Sequence, residues 1–175
     1  MPPEAQGVNM EARVEPLTGS LPVIAWRWDP ETDILSGSFK GQRKGVGLTG
    51  TLELTDDMGS VAVVDVASGV ICGLDIVVWP EVQTVGTLAV PKQLTDGRVV
   101  LPSRPSRPGI ASLEVDATLS VQTDSNERTF HLQIGARRPV EVVRVADNLS
   151  IEVDQQGNLA GFWLTGVPAF PALED

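Results

Sequence analysis

The sequence predicts an all-β protein, with antiparallel sheets from two diverged repeats packed as a sandwich-like or pseudo-symmetric single unit. Three observations carry this. The first is a hairpin at Val61 to Trp79, VAVVDVASGVICGLDIVVW, in which two β-branched runs flank Ala67-Ser68-Gly69 and Pro80 stops the second run. The second is a later passage with the same punctuation, Leu149 to Leu164, LSIEVDQQGNLAGFWL, where Gly157 and Gly161 stand as Gly69 and Gly73 do in the first. The third lies upstream of each hairpin, where a strand, a polar turn opened by an aspartate and another strand occur at Ile24 to Phe39 and again at Leu119 to Ile134. The copies are offset by 95 residues at the turn (Asp29 to Asp124) and by 88 at the hairpin (Gly69 to Gly157). The difference falls in the glycine-rich loop between Lys40 and Gly50, where an insertion is best tolerated.

In chain order, residues 1–20 are rich in Pro, Gly and Glu and read as a flexible N-terminal arm. Residues 21–80 form the first repeat, with Ile24, Trp26 and Trp28 on its inward face by the period of two. Thr51 to Thr55 is a short strand, and Asp56-Asp57-Met58-Gly59 a turn into the hairpin. Residues 81–112 intervene, with strands at Gln83 to Val90 and Arg98 to Leu101 joined through Thr95-Asp96-Gly97, then a Pro/Arg linker, PSRPSRPG, at 102–109. Residues 113–166 form the second repeat, in which Leu149, Ile151 and Val153 alternate with Ser150, Glu152 and Asp154, the pattern of a strand with one wet side. The first hairpin, apolar on both faces from Val61 to Val64 and from Val70 to Val78, predicts a need for cover on both sides. Residues 167–175 are an apolar, proline-kinked tail, a strap over the core or a docking peptide.

The run Trp28-Asp29-Pro30-Glu31-Thr32-Asp33-Ile34-Leu35, followed by Gly69-Val70-Ile71-Cys72-Gly73-Leu74-Asp75-Ile76, resembles a short bacterial domain of unknown function. That family opens on a tyrosine-aspartate-proline-glutamate-x-aspartate pattern and closes on a glycine-x-isoleucine-x-glycine hairpin. The resemblance covers Ile24 to Val78, with Trp28 in place of tyrosine; the second copy follows it only in outline. It implies a small antiparallel β fold and brings no catalytic residues.

Composition narrows the chemistry. The formal net charge of −10 opposes nonspecific binding to nucleic acid and anionic membranes, although Arg104, Arg107, Arg137 and Arg138 form a local basic group. The one cysteine, Cys72, cannot form an intrachain disulfide, and the one histidine, His131, falls on the Thr129, His131, Gln133 side of its strand, which reads as solvent-facing. Neither a hydrolytic triad nor a structural zinc site is expected, and no cofactor. Asp29, Glu31 and Asp33 have the opening spacing of a calcium loop, but Ile34 stands where its glycine belongs and Lys40 where its closing glutamate belongs, so they read as a polar turn. The basic loop Lys40 to Gly47 lacks P-loop spacing. With acids near its start and no apolar segment of spanning length, the chain reads as cytoplasmic.

These features predict a non-enzymatic, acidic protein-binding module, an inhibitor, an antitoxin-like neutraliser or an accessory subunit of a bacterial complex. The expected partner is another protein, basic in character, with homo-oligomerisation open. Candidate partner-binding residues are Asp29, Asp33, Asp56, Asp57, Trp79 and Phe170. The alternative is a small-ligand or carbohydrate binder, or a carboxylate-based enzyme, with a pocket between the repeats and Trp26, Trp28 or Trp163 as a stacking platform.

Overall fold

A computed structural model describes residues 10–17, 19–39, 49–102 and 110–171. The basic loop at Lys40 to Gly47 and most of the Pro/Arg linker, including Arg104 and Arg107, lie outside the described residues. Among the described residues there are fourteen strands and no helix, and the strands join into one mixed sheet.

The strands are β1 (Arg13–Pro16), β2 (Arg27–Trp28), β3 (Leu35–Ser38), β4 (Thr49–Thr55), β5 (Val61–Ala67), β6 (Val70–Val78), β7 (Val82–Thr84), β8 (Thr95–Val100), β9 (Ile110–Asp116), β10 (Leu119–Thr123), β11 (Phe130–Ile134), β12 (Val140–Ala146), β13 (Leu149–Asp154) and β14 (Leu159–Leu164). Neighbour pairing gives one run β2-β3-β6-β5-β4 and another β10-β11-β14-β13-β12. In both runs the final hairpin folds back so that its last strand lies against the second strand of the opening pair.

β8 stands between the runs, antiparallel to β6 and parallel to β12, and β1 adds to it. The expectation of purely antiparallel sheets is therefore corrected. β4 and β9 pair in parallel over seven residues, as do β7 with β10 and β8 with β12 over shorter stretches. Parallel neighbours need a crossover rather than a tight turn, and short-range punctuation does not disclose a crossover.

The local turns explain why the elements begin and end where they do. Ser68 and Gly69 both have positive φ, 49° and 85°, and Ala67 pairs with Val70, so the first hairpin closes on a two-residue turn rather than the expected three-residue connection. Positive φ at both positions matches the right-handed twist of the strands, at some strain for a serine. The Ser68 amide donates to Thr49 Oγ1 at 2.9 Å, which anchors the turn to β4. At the later hairpin, Asp154 Oδ1 accepts from the amides of Gln156 and Asn158, both at 2.9 Å, and Gly157 takes the positive φ. Each aspartate turn is closed by its aspartate, though at different offsets: Asp29 Oδ1 accepts from the Glu31 amide two residues on, and Asp124 Oδ1 from the Arg128 amide four residues on.

The segment between the runs departs from expectation. The strand read at Gln83 to Val90 is only β7, and Thr95-Asp96-Gly97, read as a turn, lies inside β8. A Cβ at Gly97 would sit 2.8 Å from the Glu15 carbonyl oxygen, so the glycine admits the close approach of β1 instead of turning the chain. Asp96 is held by Arg144 of β12 at 2.9 Å. Residues 10 to 16, read from composition as part of the arm, include buried Met10 and Ala12 and strand β1.

The core is one cluster drawing on both runs, from Leu35, Leu52, Leu54, Val64 and Leu74 to Leu132, Ile134, Ile151, Phe162 and Leu164. Trp26 and Ile24 are buried as their period predicted, while Trp28 is half-buried. The first hairpin is covered on both faces along β6 from Val70 to Leu74, as expected, but β5 is not, and the second hairpin is more buried than its alternation suggests. β5 alternates between buried and half-buried positions, so its outer valines are only partly covered, whereas β13 and β14 are buried on both faces, including Ser150, Glu152 and Trp163. Valines on a half-covered sheet face cost little, and a polar face can be buried once its groups are paired.

Candidate functional site

Two features stand out, an aromatic and acidic cleft and a pocket above a buried carboxylate.

The cleft begins at Trp28, whose ring stacks on Trp79 at 5.6 Å and meets Phe170 edge-on at 5.2 Å. Both indoles are fixed by hydrogen bonds, Trp28 Nε1 donating to the Pro168 carbonyl at 2.7 Å and Trp79 Nε1 to the Asp33 carbonyl at 2.8 Å. The described part of the C-terminal tail is thus a strap, with Val167 fully buried and Phe170 left 41% exposed. Trp79 also lines a cleft of about 430 Å³ with Asp56, Met58, Ser60, Glu81, Gln83 and Leu119. Met58 is 89% exposed there, and Val78 and Val82, on either side of Trp79 in the chain, are exposed too.

Of the six candidate partner-binding residues, Asp56 and Trp79 line the cleft itself. Asp33 and Phe170 adjoin the two tryptophans, and Asp29 follows Trp28 in the chain. Asp57, exposed on the adjoining turn, follows Asp56 directly. Asp56 also has a structural duty: Oδ1 accepts from the Met58 amide at 2.8 Å and Oδ2 from the Leu119 amide at 2.7 Å, joining the turn before β5 to the start of β10. The Glu31 amide, with the Thr32 side chain, holds the Asp29 carboxyl below its usual range.

The pocket lies on the other run. Glu152 on β13 is 6% exposed, and both its oxygens are engaged: Oε1 by His131 Nε2 at 3.0 Å and Oε2 by Trp163 Nε1 at 3.0 Å. The His131 and Trp163 rings stack at 4.1 Å and 13°. Strand register causes this, since β11 places His131 opposite Trp163 on β14, while Glu152 on β13 lies opposite Gly161. A Cβ at Gly161 would sit 2.5 Å from Glu152 Oε1 and 2.7 Å from the Leu132 carbonyl oxygen, so only glycine leaves the carboxylate room.

Above this trio is a pocket of about 400 Å³, walled by Leu88, Ala89 and Pro91 of the β7–β8 connection, by Val140 and Ala160, and by Gln122, Gln133, Arg137 and Arg138. His131, read as solvent-facing, is therefore a half-buried member of a hydrogen-bonded network, and Glu152, read as wet, is buried. A strand's alternation shows which residues share a face but not whether another segment covers that face. The shared face of His131, Glu152 and Trp163 was the available signal, visible once both hairpin registers are laid side by side. Among the three tryptophans considered as stacking platforms, Trp163 lines this pocket with His131 stacked on its ring, Trp28 belongs to the cleft, and Trp26 is buried in the core.

The matching position in the first run has a different chemistry. Asp65 on β5 lies opposite Gly73 on β6, and Asp75 lies one step along the same face. Burial, then the neighbouring charge of Asp65, pushes the Asp75 carboxyl up to about 6, and burial also raises Asp65. Burial first, and then Asp65, pushes the Cys72 thiol up to about 11, which makes it a poor nucleophile. Among the described residues no group of three or more His, Cys, Asp or Glu is placed to hold a metal ion, and no helix is long and apolar enough to cross a membrane.

No family model matches the chain, and no curated protein matches it either.

Proposed function

We propose that the protein is a non-enzymatic, acidic protein-binding module that docks a basic partner on the face built around Trp79. One observation carries the reading: Met58, 89% exposed, stands beside the half-buried Trp79 in a cleft that also contains Asp56 and Glu81. A large apolar side chain in water next to a fixed indole and a rim of carboxylates fits an apolar contact flanked by Lys or Arg. The net charge of −10 supports steering of such a partner, and the inhibitor, antitoxin-like or accessory-subunit roles of a cytoplasmic bacterial protein belong to this reading.

The chain also reads as a diverged duplication related to the short bacterial domain. The identical strand order of the two five-stranded runs supports this, as does the carboxylate lying opposite a glycine in each, Asp65 with Gly73 and Glu152 with Gly161.

The test is affinity capture from lysate of the source organism with wild-type protein and with Met58→Glu, at low and high salt. A stoichiometric, salt-sensitive partner lost with Met58→Glu supports the reading; a partner set unchanged by the substitution and by salt refutes it. A small-ligand reading is favoured by one separate observation, the walled pocket above Glu152.

A further inference from the structure

We infer that the pocket above Glu152 binds a small carboxylic acid with an apolar body, its carboxylate paired with Arg137. This rests on the small-ligand reading and is independent of the Trp79 face.

The pocket floor is built rather than incidental. Burying a carboxylate is costly unless it is paired, and here the fold supplies two hydrogen bonds to Glu152 and a glycine, Gly161, that no other residue could replace without displacing Glu152. A hydrophobic residue at position 152 would hold the sheet together at less cost, and a buried, hydrogen-bonded carboxyl lining an open pocket points to a site. Nε2 of His131 is engaged by Glu152 Oε1 at 3.0 Å, and no protein group is bonded to Nδ1 among the described residues.

The charge balance selects the ligand. Glu152 is satisfied by His131 and Trp163, and Arg138 is consumed by Asp154 at 2.8 Å and by the carbonyls of Ile134 and Ala136, both at 2.7 Å. Those bonds also fix the turn that carries Arg137. Arg137 is exposed on the pocket rim and pairs with no carboxylate among the described residues, so it is the uncommitted charge of the pocket. A guanidinium receives a carboxylate through two parallel hydrogen bonds.

Of the remaining walls, Gln122 and Gln133 are polar, while Leu88, Ala89, Pro91, Val140 and Ala160 are apolar and suit a hydrocarbon body. One uncommitted cation on the rim of a pocket with five apolar wall residues and two glutamines fits a monocarboxylate better than a phosphate, which calls for more charged donors. The volume of about 400 Å³ falls within the range of small-molecule sites.

The experiment uses the full chain and amide and indole N–H resonances, with the Trp163 indole assigned by Trp163→Phe. Benzoate is titrated as the probe, with benzyl alcohol, inorganic phosphate and methyl glucoside as comparisons. The expected result is saturable shifts of Trp163 and the Gly135 to Arg138 turn with benzoate, at least tenfold weaker binding in Arg137→Ala, and little response to the other three. Equal binding of benzyl alcohol or methyl glucoside at the same resonances would overturn the carboxylate class while leaving a ligand site. Equal binding of phosphate would overturn the apolar body, and unchanged benzoate affinity in Arg137→Ala the role of Arg137. No shift with any probe would overturn both the inference and the small-ligand reading.

Discussion

Replacing Asp75 by Asn should stabilise the protein, with the gain growing as pH rises from about 4 to about 6 and complete above that. Asp75 lies on β6 with Ser36 and Val63 opposite it in register on β3 and β5, and Asp65 a diagonal step away on β5. Desolvation and the Asp65 charge push its carboxyl up to about 6 from the ordinary 3.8. The folded chain therefore holds a proton that the unfolded chain releases earlier. Stability contributed by this group is fully present below about pH 4 and is lost as pH rises through about 6.

A shift of that size corresponds to about 3 kcal/mol at full shielding, and solvent reaching a half-buried carboxyl reduces this to about 1–2 kcal/mol. Asparagine keeps the shape and removes the charge, so Asp75→Asn should gain about 1–2 kcal/mol at pH 8 and be near neutral at pH 4. Urea unfolding followed by tryptophan fluorescence at pH 4, 6 and 8 measures this. A variant no more stable than wild type at pH 8, or a gap of equal size at pH 4 and pH 8, would refute the reasoning.

Two other substitutions test particular contacts. Asp56→Ala removes the acceptor for two amides, one of them 63 residues away in the chain, and should cost about 2 kcal/mol, against less than about 0.5 kcal/mol for the exposed Asp57→Ala; parallel urea titrations compare them. Gly161→Ala forces a Cβ against Glu152 Oε1 and the Leu132 carbonyl and should cost about 2–3 kcal/mol, with the Trp163 indole N–H resonance moving as its bond to Glu152 breaks; an unmoved resonance would show that the carboxylate does not depend on the glycine.

Two residues of the cleft lining, Asp56 and Trp79, are legible in the sequence. Asp29, Asp33, Asp56 and Asp57 read as polar-turn residues that face water, Trp79 ends the first hairpin, and Phe170 lies in the proline-kinked tail. What could not be read was that Trp28 would join Trp79 to Phe170 across separations of 51 and 142 residues in the chain. The pocket was less legible. His131 and Glu152 each alternate with core residues and so read as wet, because a period of two is blind to a covering segment such as Leu88 to Pro91. Asp96-Gly97 misled in the other direction: the dipeptide has turn chemistry, but its glycine serves a close strand crossing.

By itself the sequence determined the all-β class, the two glycine hairpins and the aspartate turns, because each is set by φ preferences and hydrogen bonds within a few residues. The tertiary structure alone decided that β8 bridges the two runs, that β4 and β9 pair in parallel, that one core serves both runs, and that β13 and β14 are buried on both faces while β5 is covered on one. Those outcomes depend on which distant surfaces meet, and the free energy of that meeting is carried by buried area and by paired polar groups such as Glu152 with His131 and Trp163. Local pattern specifies the faces; only packing chooses their partners.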